Sequence, residues 1–565
     1  MSLKELAKGK SPIEMFYQWE KNTPNAIYLR QPIHGQWNEF TWAQVGDKVR
    51  RLTNALYKLG FQKGDKIALL SKNCAEWIIT DLALQLGGFI SVPLYVDQTP
   101  ETFRYILEHS DSKALFIGKL DKPVWDRLGG SVPEGLVKIG FSFHGEDGDF
   151  QRENEVDHML ADLIRSTAPF PESPVPADSD VWTIVYTSGT TGYPKGVVHG
   201  YRAPRHVGFR ALDTFNLSNQ DRCLSFLPLA HVAERLLVET ASLYSGMVIS
   251  FSQSLNTFQN DLISVQPTVF FSVPRLWKKF QGGILTKVPQ QKLDKLLKVP
   301  LVRSLIKKKL RKALGLGQAR IIVSGAAPIS PALLEWYAKL GIEIVEGYGM
   351  TENFAYGFIG RPGHNKQGSV GKAMPENGFK LSEQGEILFK SPTVMAEYYK
   401  DEEKTREALT DDGYYRSGDL GEIDSEGYLK VTGRVKEIFK TEKGEYVAPA
   451  PIEAKLSSFK GFEQICIAGT GLKQPVAVVT LSEQVQNAPK EELNKEIVEF
   501  LKQLNSTLLN HEKISGVVVS QTDWSPDTGL VTPTLKVKRN KLEERYGPLM
   551  TALDQSGDTV VWEGA

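Results

Sequence analysis

The sequence is poor in cysteine and has no excess of either charge. Cysteine occurs three times in 565 residues, at Cys74, Cys223 and Cys466, and these positions form no metal-binding spacing. An odd, low count excludes a disulfide framework and indicates a reducing compartment. Lysine plus arginine equals aspartate plus glutamate at 67 each, so no global field favours nucleic acid or an acidic partner. Any bound anion must therefore be held by a local set of donors.

Long apolar segments are also missing. The longest nearly apolar run, Leu82–Val96, contains Gln85 and two glycines and is too short to span a bilayer. The first ten residues carry too much charge for the apolar region of a signal peptide. We therefore expect a soluble, cytoplasmic protein. Its length exceeds what one hydrophobic core usually supports, so at least two domains are expected.

The first part of the chain alternates between strand and helix patterns. Short apolar runs at Lys66–Ser71, Ile90–Tyr95 and Lys113–Ile117 read as strands, and Ala75–Leu86 and Pro100–His109 have helical periodicity between them. This rhythm predicts an α/β fold in which a parallel sheet is covered by helices.

The pattern changes in the second half of the chain. From about Gly368, short strands alternate with turn signals and predict a small β-rich subdomain. From about Lys436, further strands and a helix near Glu491–Leu509 predict a separate α+β domain. We therefore expect a large N-terminal domain of parallel sheets with helices plus the β-rich subdomain, over residues 1–435, and a small C-terminal domain over residues 436–565.

A loop rich in glycine and hydroxyl groups follows the buried strand Val181–Tyr186. Its glycines let the backbone approach an anion closely, its hydroxyls add neutral donors, and its lysine adds a cation, which together suit a polyphosphate. The loop is not a Walker A motif, because no Ser/Thr follows the lysine to hold Mg²⁺. A flexible surface loop is the simpler alternative. The proposed binding residues are Thr187, Ser188, Gly189, Thr190, Thr191, Gly192 and Lys195.

This loop resembles the signature loop of the adenylate-forming (AMP-binding) superfamily, which includes acyl-CoA synthetases, firefly luciferases and nonribosomal peptide adenylation domains. Five further motifs of that superfamily follow in the expected order, so the resemblance covers nearly the whole chain. They are Ser324-Gly-Ala-Ala-Pro328, Glu346-Gly-Tyr-Gly-Met-Thr-Glu352, Tyr415-Arg-Ser-Gly-Asp-Leu420, Gly433-Arg-Val-Lys-Glu437 and Pro533-Thr-Leu-Lys-Val-Lys-Arg539.

The resemblance implies a nucleotide site. Tyr348 would stack on adenine, and Asp419 would accept both ribose hydroxyls with Arg434 beside it. Thr351 and Glu352 would meet the phosphates and Mg²⁺, with Thr190 as a second metal contact, since a carboxylate beside a triphosphate requires a cation between them. The remaining members of this predicted site are Gly325, Ala326, Ala327, Glu346, Gly347 and Gly349.

The last motifs imply a mobile C-terminal domain. Lys536 resembles the lysine that bridges the substrate carboxylate and the α-phosphate. Thr534-Leu535 precede it where Ser-Gly is commoner, which leaves Lys538 as a weaker alternative. Lys436 resembles the hinge about which the small domain swings after adenylation. Gly444 would then line the channel for the pantetheine arm of coenzyme A.

Other segments indicate the long-chain fatty acyl-CoA synthetase branch. Leu227–Arg235 resembles that branch's form of a family motif, in which His231 would stand between the acyl and pantetheine channels. Val273–Trp277 and a helical insertion at about Phe280–Leu316 also resemble it. The implied activity converts a fatty acid and ATP to acyl-AMP and then to acyl-CoA. Delivery to a separate acyl carrier protein, or a medium-chain or aromatic acid as substrate, remains an alternative.

Within the insertion, Lys298–Lys312 is amphipathic and contains no acidic residue. Its apolar residues fall on one face at helical spacing. Two interpretations remain open, a reversible contact with a membrane surface and a helix packed on the protein with a solvated basic face. The predicted apolar face consists of Val302, Leu305, Ile306, Leu310, Ala313 and Leu314.

Overall fold

The computed structural model describes residues 2–141, 155–187, 193–483, 485–532 and 536–564. Across these ranges, no helix combines the length and the apolar character that crossing a bilayer requires.

The helices, numbered in chain order, are α1 Leu3–Ala7, α2 Pro12–Asn22, α3 Trp42–Lys58, α4 Ala75–Leu86, α5 Pro100–His109, α6 Lys122–Leu128, α7 Leu160–Ser166, α8 Arg202–Phe215, α9 Val232–Glu234, α10 Ala241–Ser245, α11 Phe258–Val265, α12 Pro274–Lys287, α13 Gln290–Lys298, α14 Pro300–Ala313, α15 Pro331–Lys339, α16 Glu402–Glu407, α17 Pro449–Leu456, α18 Lys490–Asn505 and α19 Arg539–Ser556.

The strands are β1 Ile27–Ile33, β2 Gln36–Thr41, β3 Lys66–Leu70, β4 Ile90–Leu94, β5 Ala114–Ile117, β6 Val137–Gly140, β7 His158–Met159, β8 Val181–Thr187, β9 Lys195–Gly200, β10 Arg222–Ser225, β11 Val248–Phe251, β12 Val269–Ser272, β13 Ile321–Ser324, β14 Val345–Tyr348, β15 Phe358–Ile359, β16 Lys372–Ala373, β17 Gly378–Leu381, β18 Glu386–Lys390, β19 Glu397–Tyr398, β20 Tyr415–Ile423, β21 Leu429–Arg434, β22 Phe439–Lys440, β23 Tyr446–Val447, β24 Phe462–Ala468, β25 Val476–Leu481, β26 Gly516–Val519 and β27 Val560–Trp562.

The largest sheet has the strand order β19-β9-β8-β4-β3-β5-β6-β7. Strand β3 pairs in parallel with both β4 and β5, as the alternating strand and helix patterns predict. These strands are apolar along nearly their whole length because helices cover both faces of the sheet. Helix α5 begins sharply because Thr99 caps it and Pro100 occupies its first turn.

A second sheet, β12-β13-β14-β15-β16, has three parallel strands followed by antiparallel pairs. A third sheet, β17-β18-β20-β21, is antiparallel throughout and forms the expected β-rich subdomain. The sheet β24-β25-β26-β27 forms a separate α+β unit with α17, α18 and α19. The predicted α/β class, with a large N-terminal and a smaller C-terminal domain, is confirmed.

The two domains meet through polar contacts. Arg275 at the start of α12 forms an ion pair with Glu463 of β24 at 3.2 Å. Nearby, the Lys278 ammonium donates to the carbonyl of Phe462, and Arg127 lies 3.8 Å from Asp527. Exposed ion pairs of this kind contribute little each to the stability of the interface.

Helix α14 corrects one expectation from the sequence. Ile306 and Leu310 pack against the core around β12 and β13, and Leu314 is buried. Leu305, which periodicity assigned to the same face, is 68% exposed instead. The apolar face predicted for a membrane is therefore mostly the face by which the helix packs on its own protein.

Candidate active site

The candidate site lies at the carboxyl ends of β13 and β14, where open α/β sheets usually bind ligands. The segment Gly325–Ala327 follows β13, and the end of β14 carries Gly347 and Tyr348. The two segments approach closely, because a Cβ on Gly325 would lie 3.1 Å from the Gly347 carbonyl. Ala326 has the left-handed φ of 65°, which turns the chain sharply beside the strand end.

Tyr348, Asp419 and Arg434 form one hydrogen-bonded group. The Tyr348 hydroxyl donates to Oδ2 of Asp419 at 2.7 Å, and Arg434 Nε donates to Oδ1 at 2.8 Å. Asp419 and Arg434 are also cross-strand partners in β20 and β21. The structure therefore brings the three predicted base and ribose contacts together.

The glycine beside Tyr348 has a local structural reason. A Cβ on Gly349 would lie 2.5 Å from the carbonyl carbon of Ala355, so the 3-10 turn Thr351–Asn353 folds back onto it. The Tyr348 ring is half-buried and lies 6.0 Å from Phe389. One part of the ring therefore remains accessible to a ligand.

Two buried side chains, His199 and Tyr398, form hydrogen bonds to the Thr351–Glu352 pair. His199 is fully buried, and its Nε2 donates to the Thr351 carbonyl at 2.7 Å. Burial lowers the pKa of His199 to about 4, so the ring is neutral at physiological pH. The Tyr398 hydroxyl donates to Oε1 of Glu352 at 2.9 Å. Tyr398 was not anticipated, because it lies outside the sequence motifs.

The residues around Glu352 fit a hydrated Mg²⁺. The described part of the chain holds no cluster of three or more metal-ligating side chains. Glu352 remains half-exposed, and Tyr398 engages its Oε1. A single carboxylate is what Mg²⁺ requires when it is held mainly by substrate phosphates and water.

The strands on either side of the phosphate loop are antiparallel neighbours. Thr187 ends β8 and pairs in antiparallel register with Lys195, which begins β9. The Lys195 ammonium lies 4.6 Å from the centre of the Tyr398 ring and interacts with the Glu352 charge. Residues 188–192, which carry the predicted contacts Ser188, Gly189, Thr190, Thr191 and Gly192, lie outside the described residues.

Lys536 points its charge into the same cleft. Its ammonium interacts with the carboxylates of Asp419, Glu352 and Glu437. The surrounding protein lowers the pKa of Lys536 by displacing water, and Arg434 lowers it further. Lys538 instead caps α19, and its backbone N–H donates to the Leu530 carbonyl. This placement favours Lys536 over Lys538, whereas Thr534 and Leu535 lie outside the described residues.

His231 lies within electrostatic range of this ammonium. Its Nδ1 accepts the Ala233 N–H at 3.1 Å, so the proton of the neutral ring is on Nε2. Burial and the charge of Lys536 lower the pKa of His231 to about 4. The ring can therefore donate from Nε2 into the cleft.

Glu346 is a buried carboxyl group beside Tyr348 at the end of β14. It is 9% exposed, and its carboxyl group forms no hydrogen bond with a described residue. Burial raises the pKa of Glu346 to about 8. A buried carboxyl without a protein partner is suited to a ligand donor, such as an exocyclic amine.

The predicted hinge and pantetheine loop lie at the domain junction. Lys436 is exposed in the 3-10 turn Val435–Glu437, directly after β21. Gly444 has a φ of 80° in the turn between β22 and β23, and a Cβ at this position would meet no atom within 4 Å. The turn conformation explains this glycine, and its predicted close approach to pantetheine remains a prediction.

A buried ion network behind His231 was not anticipated. Arg235 is fully buried and pairs with Asp81 at 2.7 Å and with Glu239 at 2.9 Å. Its guanidinium also lies 4.0 Å from the Trp182 ring. Burial raises the pKa of Asp81, but Arg235 outweighs this effect and the pKa of Asp81 is lowered. Burial and the charge of Asp81 raise the pKa of Glu239. The positive charge of Arg235 is therefore balanced by the negative charge of Asp81 in α4. Arg235 itself begins a π-helical turn, Arg235–Thr240, a feature frequent at functional sites.

Comparison with known proteins gives the class. The model of the AMP-binding enzyme family matches residues 16–399, and that of the AMP-binding enzyme C-terminal domain matches residues 437–555. The first match covers more than half of the chain. The chain therefore belongs to the family of AMP-binding enzymes, as its motifs predict.

Two named relatives are similar to this chain over most of its length. The long-chain-fatty-acid–CoA ligase FadD15 of Mycobacterium bovis is 31% identical, over 95% of this chain and 96% of its own length. Human long-chain-fatty-acid–CoA ligase 1 is 31% identical, over 90% of this chain and 81% of its own length.

Solved structures share the fold. The adenylation domain of the carboxylic acid reductase from Segniliparus rugosus, in complex with AMP and a co-purified carboxylic acid, has a TM-score of 0.80 at 21% identity and covers 98% of this chain and 95% of its own. The anthranilate CoA ligase AuaEII, in complex with anthranoyl-AMP, has a TM-score of 0.76 at 21% identity, with 96% and 99% covered.

Proposed function

We propose that this chain is a long-chain fatty acyl-CoA synthetase that works through an acyl-adenylate. One observation carries the proposal, the convergence of Lys536, Glu352 and the Tyr348–Asp419–Arg434 group on one cleft between the domains. The names of the curated relatives support the choice of a long-chain acid and coenzyme A as substrates.

In the first half-reaction, a carboxylate oxygen attacks the α-phosphorus of ATP, the bond to the β-phosphate oxygen breaks, and pyrophosphate leaves. Both reactants are anions, so a cation at the point of attack lowers the barrier. Lys536 supplies this cation, and the neutral ring of His231 donates a hydrogen bond from Nε2 to the reacting oxygens. Tyr348 and Asp419 hold the nucleoside in place, with Arg434 fixing the Asp419 carboxylate.

Glu352 and Thr190 are the proposed contacts of Mg²⁺. When bound, the ion neutralises phosphate charge and withdraws electrons from the leaving pyrophosphate. Lys195 and the donors at residues 187–192 are the further proposed contacts of the phosphates.

In the second half-reaction, the thiol sulfur of coenzyme A attacks the acyl carbonyl, the bond to the AMP oxygen breaks, and the thiol proton passes to solvent. Lys536 must leave the cleft to admit the thiol. We propose that the C-terminal domain, residues 436–565, rotates about Lys436 and brings the Gly444 turn to the pantetheine channel. The weak contacts between the domains are compatible with this motion.

A substrate panel tests the proposal. Purified protein is given ATP, Mg²⁺ and acids from acetate to palmitate and benzoate, with either coenzyme A or a phosphopantetheinyl carrier protein as acceptor, and AMP formation is measured. We expect the highest kcat/KM with long-chain acids and coenzyme A. Preference for the carrier protein, or for a medium-chain or aromatic acid, would reject this substrate assignment. The proposed location is the cytoplasm, with peripheral contact at a membrane surface.

A further inference from the structure

The segment of sequence that contains helix α14 has no acidic residue. No aspartate or glutamate occurs between Asp294 and Glu335, although the chain as a whole is neutral. Among the described residues none of its seven central cations forms an ion pair, whereas the next cation, Arg320, pairs with Asp221 at 2.6 Å. The surface therefore carries a concentrated positive field. The seven cations are Lys298, Arg303, Lys307, Lys308, Lys309, Arg311 and Lys312.

The outer face of α14 combines this charge with exposed leucines. Leu301 is 83% exposed and Leu305 is 68% exposed, whereas the opposite face packs on the core. Leu301, Leu305, Lys308 and Lys312 are spaced by four, three and four residues, so they form one stripe along the helix. The stripe is apolar near the start of the helix and basic near its end.

The basic end of the stripe opens into a hollow of about 480 Å³. Lys307, Lys308, Arg311 and Lys312 line it together with Gln318. The Arg311 guanidinium is fixed by a 2.8 Å hydrogen bond from Nη2 to the Ala319 carbonyl, and its Nε is buried without a partner. The hollow has no acidic lining residue and contains one oriented guanidinium, which suits a phosphate group.

The hollow is remote from the candidate active site. Gln318 precedes β13 and Gly341 precedes β14, so the hollow lies at the amino ends of these strands. Tyr348 and Gly325 lie at the carboxyl ends. A phosphate bound here is therefore not part of the ATP bound for the reaction.

We propose that α14 docks this protein on an anionic phospholipid bilayer, with Leu301 and Leu305 in the interface and a lipid phosphate in the hollow of Lys308, Arg311 and Lys312. Leucines and lysines on one helical stripe match a bilayer surface, which offers acyl chains beside phosphates. A nucleic acid or a free phosphate would use the cations without the leucines. Docking extends the proposed function, because a long-chain acid partitions into bilayers, but the surface chemistry does not depend on that function.

Vesicle flotation tests the docking surface without any substrate. The full chain is mixed with vesicles of phosphatidylcholine alone or with about 30% phosphatidylglycerol, at low and at high salt, because anionic headgroups are what a basic helix face attracts. We expect binding only with phosphatidylglycerol, weakened by salt. Lys308→Gln with Lys312→Gln should weaken it about 10- to 30-fold, since each lysine near an anionic surface contributes about fivefold or slightly less. Leu301→Ser with Leu305→Ser should weaken it by about tenfold or more.

Matched controls remove the same kinds of side chain from surfaces outside α14. Lys495→Gln with Lys502→Gln removes two exposed lysines from α18, and Leu255→Ser with Leu509→Ser removes two exposed leucines. Both controls should bind as the unmodified protein does. Absence of binding at low salt, or equal losses in the α14 variants and their controls, would overturn the proposal. Adenylation of water-soluble octanoate should be unchanged in the α14 variants, which separates loss of docking from loss of the proposed activity.

Discussion

Replacement of Lys536 by alanine removes the ammonium group that lies within electrostatic range of His231 and the carboxylates of the cleft. Two other nearby cations are already engaged, because Arg434 binds Asp419 and Lys195 lies on the Tyr398 ring. Neither can take over the position without breaking its own contact. We therefore expect the full loss for one preorganised electrostatic donor, about 10²–10³ in the adenylation rate, or about 2.7–4 kcal/mol of transition-state stabilisation.

Two assays separate the half-reactions for this variant. Pyrophosphate release from ATP and a fatty acid should fall by the stated factor, whereas conversion of supplied acyl-AMP and coenzyme A to acyl-CoA should stay near the unmodified rate. Lys538→Ala is the matched control, two residues away at the start of α19, and should keep both rates. Equal losses in both half-reactions, or a larger effect of Lys538→Ala, would refute the role given to Lys536.

Three further predictions follow from the site and its support. Lys436→Pro should spare adenylation, because a 3-10 turn accepts the φ of proline, and should block thioester formation by fixing the pivot; normal overall turnover would remove Lys436 as the hinge. The ratio of adenylation rates of the unmodified protein and His231→Asn should stay constant from about pH 5.5 to 8, because the folded-state pKa of about 4 keeps the ring neutral; a change in this ratio centred near the usual histidine pKa of about 6.5 would contradict that protonation state. Arg235→Met should lower the free energy of unfolding by about 3–5 kcal/mol in urea titrations, because it leaves Asp81 charged and unpaired; an unchanged midpoint would show that Arg235 does not balance that charge.

The pKa of His231 also predicts how acid affects stability. The folded-state pKa is depressed below the usual value of about 6.5, so the unfolded chain binds the proton more readily. The contribution of this histidine to the free energy of unfolding is complete above about pH 6.5 and is lost as the pH falls towards about 4. The same argument applies to His199, whose pKa is also about 4.

The strands of the central sheet could be predicted from the sequence because their cause is local. β3, β4 and β5 are short apolar runs, and burial on both faces leaves no other composition for them. The contact between Tyr348 and Asp419 joins residues 71 positions apart, and no periodicity encodes it. Only the order of the motifs suggested that these residues share a site.

The features missed by sequence reasoning depend on packing between distant segments. Leu305 has the spacing of a packed residue, but the neighbouring helices of the insertion decide which face of α14 is covered. Arg235 reads as part of a motif, whereas its partner Asp81 lies in α4, 154 residues away. Tyr398 reaches Glu352 only because β19 pairs with β9 at the edge of the large sheet.

The central claim is that a carboxylate attacks the α-phosphorus of ATP in this cleft, before any thiol takes part. Isotope exchange between labelled pyrophosphate and ATP tests it directly, in the absence of coenzyme A. We expect exchange that requires both Mg²⁺ and a long-chain fatty acid. No exchange with any acid from acetate to palmitate, or equal exchange without an acid, would contradict the claim.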